Sequence, residues 1–169
     1  MNKMKNEPEQ EHNLFKELTL RTVIDEIERY PFSSREMIGY YLTFFFAFFS
    51  KEMIYAFFFN SKNKLVGRFL IQEGEFPVME PVSEIFDRIE ETAYELNAVW
   101  FILAHNHIGT PPVPSANDTL LTAKYKKRFS DAIPILKEHF IVSGSDYTTM
   151  FSETLWKKRY DGGRLTLFE

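Results

Sequence analysis

The chain contains no cysteine, which rules out a disulfide framework, a thiolate zinc site and a cysteine nucleophile. Any metal must be held by histidine and carboxylate. Basic residues are outnumbered, with 20 Lys and Arg against 24 Asp and Glu. That balance argues against a protein whose main work is gripping phosphates, because non-specific nucleic-acid affinity comes from clustered cations. Two local basic clusters, Lys124–Arg128 and Trp156–Tyr160, read as solvated helix faces. Long apolar runs are also missing. The uncharged stretch Met37–Phe49 is closed by Lys51 and Glu52, well short of the ~20 residues of a membrane-spanning helix, so it reads as a buried core helix. The polar, acidic start "MNKMKNEPEQEHN" lacks the apolar segment of a secretory signal. With the absent thiols, it points to the cytoplasm.

What is present in quantity is apolar and aromatic: 44% hydrophobic residues, 18 of the 169 residues being phenylalanine. A chain of this length and composition folds as one globular domain with a real core. The first dozen residues read as a tail, followed by a loosely helical stretch, Leu14–Tyr30. "PFSS" breaks it, and Ser33 or Ser34 caps a second helix, Arg35–Phe49. "MIYAFFFN", "SKNK" and "LVGRFLIQEG" read as a β-hairpin. Val82, Ile85, Phe86, Ile89, Ala93 and Leu96 fall at helical spacing, with Pro81 in the first turn. "AVWFILA", residues 98–104, is a buried central strand. A helix over Ser115–Asp131, a strand in "IPILKEHFIVSG" and a C-terminal helix or coil complete a mixed α/β domain. The all-round apolar helix makes a second copy of the chain a candidate partner.

The chemistry-bearing stretch is "AHNHIGTPPVPSANDTLLT", residues 104–122. His105 and His107 are two apart, so in extended chain both imidazoles point to one side. Asp118 follows across a loop stiffened by Pro111, Pro112 and Pro114. Two histidines and a carboxylate, with a fourth position for water, form the ligand set of a catalytic zinc site. Such a site lowers the pKa of its water and polarises a carbonyl. Hydrolysis also needs a carboxylate to carry protons and a donor for the developing oxyanion. Against this, Ser115-Ala-Asn-Asp118 has the form of a capping box that only starts a helix, and a histidine pair in a loop is more often solvated or hydrogen-bonded.

His105-Asn-His107, seven residues, Ser115, two more and Asp118 match H-x-H-x7-S-x2-D, the pattern of JAMM (JAB/MPN) metalloproteins. "LAHNH", "PSANDTLLT" and "EHFIVSG" resemble the bacterial RadC branch, over roughly residues 52–150. The resemblance implies a single JAB/MPN-type domain over 35–169, a cytidine-deaminase-like mixed sheet flanked by helices, behind an N-terminal tail and short helix over 1–34. It implies Zn2+ held by His105, His107 and Asp118, with Ser115 assisting the oxyanion. The family's upstream glutamate falls on Glu52, with Glu73, Glu75 and Glu80 as alternatives. His139 also resembles a family histidine, and reads as a packing or hydrogen-bonding residue rather than a fourth ligand.

Two departures stand out. The family's usual HNHPSG is here His-Asn-His-Ile-Gly-Thr, and residues 1–50 lack the glycine-bearing hairpins of the N-terminal module of full-length RadC proteins. The resemblance implies a zinc-dependent metallohydrolase that cleaves a peptide or isopeptide bond in a peptide or protein substrate. The competing expectations are a nucleic-acid-associated RadC-type role in repair or mobile-element biology, and a metal-binding scaffold without catalysis. Zinc deaminases are excluded, because their second motif requires cysteines.

Overall fold

A computed structural model describes residues 7–74, 82–151, 158–161 and 164–167. In chain order the elements are α1 (Glu7–Glu28), α2 (Arg35–Phe46), β1 (Met53–Phe59), β2 (Leu65–Glu73), α3 (Val82–Glu95), β3 (Trp100–Asn106), α4 (Ala116–Arg128), β4 (Ile135–Ser143), β5 (Asp146–Thr149), β6 (Lys158–Asp161) and β7 (Arg164–Leu167). The first five strands form one mixed sheet in the order β2-β1-β3-β4-β5, parallel only between β3 and β4. Helices cover both faces, α1 and α2 on one and α3 and α4 on the other.

The apolar run in β3 explains its central place. All seven of its residues are buried, as expected for a strand covered on both faces. Trp100, Ile102 and Ala104 join the core under α2, while Phe101 and Leu103 join the core under α3 and α4. Continuing that alternation, His105 falls on the α4 face. β1 divides in the same way, with Phe57 and Phe59 toward α2 and Ala56 and Phe58 toward α3.

α2 is apolar on nearly every side because nearly every side is used within this chain. It packs on β3, β4 and β5, and α1 lies against it. Gly39 lets it approach β5 closely: a Cβ there would collide with the Tyr147 ring. Ser34 is the N-cap, its side chain accepting from the Met37 N–H.

Several boundaries differ from the sequence expectation. α1 begins at Glu7, so residues 7–12 are helical rather than tail; Pro8 falls in the first turn, where the fixed φ of proline suits a helix. α2 stops at Phe46, with Ala47 as C-cap, three residues before the apolar run ends, because Phe48 and Phe49 pack from the following turn. β3 runs on to Asn106, so His105 lies inside the strand. The C-terminal residues expected as helix or coil include an antiparallel pair, β6 and β7. Pro81 and residues 156–157 of the second basic cluster lie outside the described residues. Lys124, Lys126, Lys127 and Arg128 line the exposed side of α4 near its C-terminus, where cations complement the helix dipole. Among the described residues no helix is long and apolar enough to cross a membrane.

Candidate metal centre

The site lies where the parallel strands β3 and β4 end and α4 begins. His105 comes from the last turn of the β3 pleat, His107 from one residue past the strand, and Asp118 from the first turn of α4. Their ligating atoms all lie within 4.8 Å of one another. His105 Nε2 stands 3.1 Å from His107 Nε2 and 3.1 Å from Asp118 Oδ1, and His107 Nε2 is 3.6 Å from Asp118 Oδ2. His105 is fully buried, and Asp118 nearly so.

Backbone contacts fix these side chains. The His107 N–H donates to the Val142 carbonyl at 2.8 Å, extending the β3–β4 ladder past the strand. His107 Nδ1 lies 3.0 Å from the Pro111 carbonyl. A carbonyl only accepts, so Nδ1 carries the proton and Nε2 turns a bare lone pair toward the cluster. At the other side, Ser115 and Asp118 form a capping box: the Asp118 N–H donates to Ser115 Oγ at 3.1 Å and the Ser115 N–H donates to Asp118 Oδ2 at 2.7 Å. Burial alone pushes the Asp118 carboxyl up, but the contact with His105 and the bonds from Ser115 outweigh it and hold the group well below the usual carboxylate range.

A carboxylate that stays ionised and a bare imidazole nitrogen on His107, both acceptors, face each other at 3.6 Å beside the His105 ring, whose Nε2 lies 3.1 Å from each residue. Such a group calls for a cation. The donor set, two imidazoles and one carboxylate without thiolate, fits a divalent ion of the zinc type with an open fourth position.

The structure also places the remaining candidates. Ser115 is exposed; its hydroxyl accepts the Asp118 N–H and also bonds the Asp118 carboxylate. The same hydroxyl thus caps α4 and stands beside a candidate ligand. Glu52 precedes β1. Ile54 pairs with His105 across the β1–β3 ladder, so Glu52 stands as far beyond Ile54 as His107 stands beyond His105. Its side chain is half-buried. Glu73 ends β2 and pairs with Lys51 at 2.7 Å on the surface; Glu75 and Glu80 lie outside the described residues.

Asn106, between the two histidines, carried no role in the sequence reading. Buried on the opposite face of β3, its Oδ1 accepts the Met53 N–H at 2.8 Å and its Nδ2 donates to the Lys51 carbonyl at 3.0 Å. It grips the backbone on both sides of Glu52. The Glu52 carbonyl accepts a third bond, from the Gly74 N–H at 2.7 Å. The sequence shows an amide flanked by two candidate ligands, but not its partners, 53 and 55 residues away. His139 is fully buried beside the cluster, its Nε2 2.9 Å from His105 Nδ1 and its Nδ1 2.6 Å from Thr122 Oγ1. Burial, then the neighbouring His105, holds the His139 ring well below the ordinary imidazole value.

After His107 the chain turns at Gly109, whose φ of 70° is a left-handed conformation that favours glycine. The glycine therefore stands one residue earlier than in HNHPSG. The Ser143 hydroxyl donates to the Thr110 carbonyl at 2.5 Å and ties this loop to the end of β4. Beside it opens a cavity of about 490 Å3, lined by Phe44, Phe46, Phe49, His107, Ile108 and Val142 among others.

A mixed sheet between two helical layers, with a His-His-Asp group at the strand ends, defines an α/β protein built around a candidate metal site. A family model described as RadC-like JAB domain matches residues 32–155, and the chain belongs to that family. It is similar to a UPF0758 protein of Fusobacterium nucleatum, 27% identical over 139 residues, covering 82% of this chain and 58% of that protein. A UPF0758 protein of Aliivibrio fischeri is 27% identical over 151 residues, covering 81% of this chain and 63% of the relative. One of Carboxydothermus hydrogenoformans is 30% identical over 109 residues, covering 63% and 46%. The chain thus spans between about half and two thirds of the length of these relatives.

Proposed function

We propose that this protein is a zinc-dependent metallohydrolase that cleaves an amide bond, peptide or isopeptide, in a protein or peptide substrate. The observation that carries the reading is the convergence of His105, His107 and Asp118 within 4.8 Å, with the His107 ring turned so that its bare nitrogen faces the other two. Membership of the RadC-like JAB family supports it. When bound, a divalent ion supplies Lewis acidity toward a carbonyl oxygen and makes a water more acidic.

The chain's own residues do the rest. Glu52, held by its backbone abreast of His107, takes a proton from the attacking water as the C–O bond forms. It returns that proton to the leaving nitrogen as the C–N bond breaks, so the products are a carboxylic acid and an amine. Ser115, whose hydroxyl is exposed beside Asp118, turns its hydrogen to the oxygen on which negative charge develops. The cavity beside His107 offers an apolar wall for the substrate residue next to the scissile bond.

The test joins metal content to hydrolysis. Purified wild-type protein should bind about one zinc, and His107→Ala should lose it. Glu52→Gln should keep fold and metal while hydrolysis of a peptide and isopeptide panel falls about 10²-fold or more. Absence of stoichiometric zinc in the wild type, or full cleavage by Glu52→Gln, would overturn the reading. Zinc binding without any cleavage would leave the chain a metal-binding scaffold.

A further inference from the structure

The two contacts of Thr122 fix more than packing. Thr122 Oγ1 lies 2.6 Å from the Asp118 carbonyl oxygen, one helical turn back, and 2.6 Å from His139 Nδ1. Two oxygens at 2.6 Å need a hydrogen between them, and the carbonyl has none to give. The single hydroxyl hydrogen of Thr122 therefore points at Asp118. The Met150 thioether, 3.2 Å away, is a weak acceptor and does not compete. It follows that Thr122 Oγ1 accepts from His139, so His139 carries its proton on Nδ1.

His139 is fully buried, and its two ring nitrogens face a hydroxyl and a histidine rather than a carboxylate. A charged ring there would be costly, so His139 is neutral and its Nε2 is bare. His105 Nδ1, 2.9 Å from that nitrogen, must then be the donor. With Nδ1 committed, Nε2 is the nitrogen His105 offers to Asp118 and His107.

We infer that Thr122 and His139 form a proton-ordered relay, Asp118 C=O ← Thr122 ← His139 ← His105, that sets the tautomer of His105 and presents its Nε2 as a metal ligand. Both are positioning residues acting through His105, and the inference rests on the reading of His105 as a ligand. The relay starts and ends on the site: it leaves the backbone of Asp118, crosses from α4 to β4, and returns to β3. One ligand's main chain thus orients another ligand's ring. The opposite tautomer would place a hydrogen on His105 Nε2, facing the carboxylate, and close that nitrogen to a metal. His107 reaches the same state through the Pro111 carbonyl alone, so the two histidines are oriented by independent devices.

The experiment reads the rings directly. In 15N-labelled, metal-free protein, long-range proton–nitrogen NMR should show Nδ1 protonated on both His105 and His139, and His139 Nε2 unprotonated. A protonated His139 Nε2 would overturn the relay. The second arm measures zinc affinity by competition with a chelator. Thr122→Val, close in shape but without the hydroxyl, should move His139 to the Nε2–H form and weaken zinc binding about 10- to 100-fold. Thr122→Ser should restore both tautomer and affinity, which a purely structural role for the hydroxyl would not require of the NMR signal. Wild-type affinity and unchanged tautomers in Thr122→Val would sink the proposal. A wild-type protein that shows the ordered tautomers but binds no zinc would refute the metal reading and leave the relay standing.

Discussion

Asn106 holds Glu52 from both sides: its side chain accepts from the Met53 N–H and donates to the Lys51 carbonyl, at 2.8 and 3.0 Å. The residue between the two histidines thereby links the ligand strand to the backbone of the proposed proton carrier. The two sets of groups meet at the end of one strand, since His105 and Asn106 project to opposite faces of β3.

This link makes Asn106 a positioning residue with a separable signature. Asn106→Ala should leave zinc stoichiometry intact, because neither ligand orientation runs through the amide. Loss of both bonds frees residues 51–53 to shift, and misplacement of a catalytic group by about 1 Å can cost ~10²-fold in rate. The fall should appear in kcat rather than KM. If Asn106→Ala loses zinc in proportion to activity, the amide supports the ligands and not Glu52.

Ser115 has two roles that substitution can separate. Ser115→Ala removes both the cap and the hydroxyl, and should cost about 1 kcal/mol of stability, whereas a glycine N-cap costs only a few tenths. Loss of an oxyanion donor typically lowers kcat by ~10²- to 10³-fold. Ser115→Gly should therefore keep nearly full resistance to urea while hydrolysis falls as far as in Ser115→Ala. Activity that instead tracks stability across the two variants would reduce Ser115 to a helix cap.

How far the sequence disclosed this site depended on whether the signal was local. The apolar run leading into β3, the H-x-H pair and the Ser115–Asp118 spacing are neighbours along the chain, and each appears in the structure, although the strand expected over 98–104 lies at 100–106 and takes in His105. So does the mixed sheet with helices on both faces. Thr122, His139 and Asn106 were opaque for the opposite reason: their partners lie 17, 34 and 53 residues away, and register, not composition, brings them together. His139 read as a packing or hydrogen-bonding residue, and it does bond, but only the parallel alignment of Leu103 with His139 puts it on the His105 ring. The ends of α1 and α2 were misplaced because helix termini answer to tertiary packing, as when Phe48 and Phe49 reach the core from outside the helix.

Tyr125 is an unsatisfied group in an otherwise well-partnered core. Its hydroxyl is fully buried and has no hydrogen-bond partner among the described residues, and burial pushes its pKa up, keeping the phenol protonated. The ring itself is well placed, edge-on to Phe86 at 4.9 Å. An unmet buried polar group costs about 1–3 kcal/mol, so Tyr125→Phe should keep the ring contacts and gain about 1 kcal/mol. For a domain of this size that is a rise in Tm of roughly 2–4 °C. A lower Tm would show that the hydroxyl has a partner outside the described residues.

Glu138 should give the fold a pH dependence that does not pass through the metal ligands. Its side chain is fully buried on the α2 face of β4. Oε1 accepts the backbone N–H groups of His139, Met150 and Phe151 at 2.8–3.1 Å, and Oε2 faces Arg35 at 3.4 Å. Burial is the dominant influence. It pushes the carboxyl from 4.5 up to about 7, against the opposing pull of the backbone bonds and Arg35. The folded state thus holds this proton more tightly than the unfolded chain does. Between pH 4.5 and about 7 the native form binds more protons, so stability declines as pH rises through that window and levels off above it. The full decline attributable to Glu138 is of order ~3 kcal/mol. Glu138→Gln keeps an oxygen for the three N–H groups and cannot ionise. Urea melts of the two proteins should nearly coincide at pH 5 and separate by pH 8, with the glutamine variant the more stable. A difference that stays constant from pH 5 to pH 8 would mean that Glu138 remains ionised throughout, held by Arg35 and its three backbone donors.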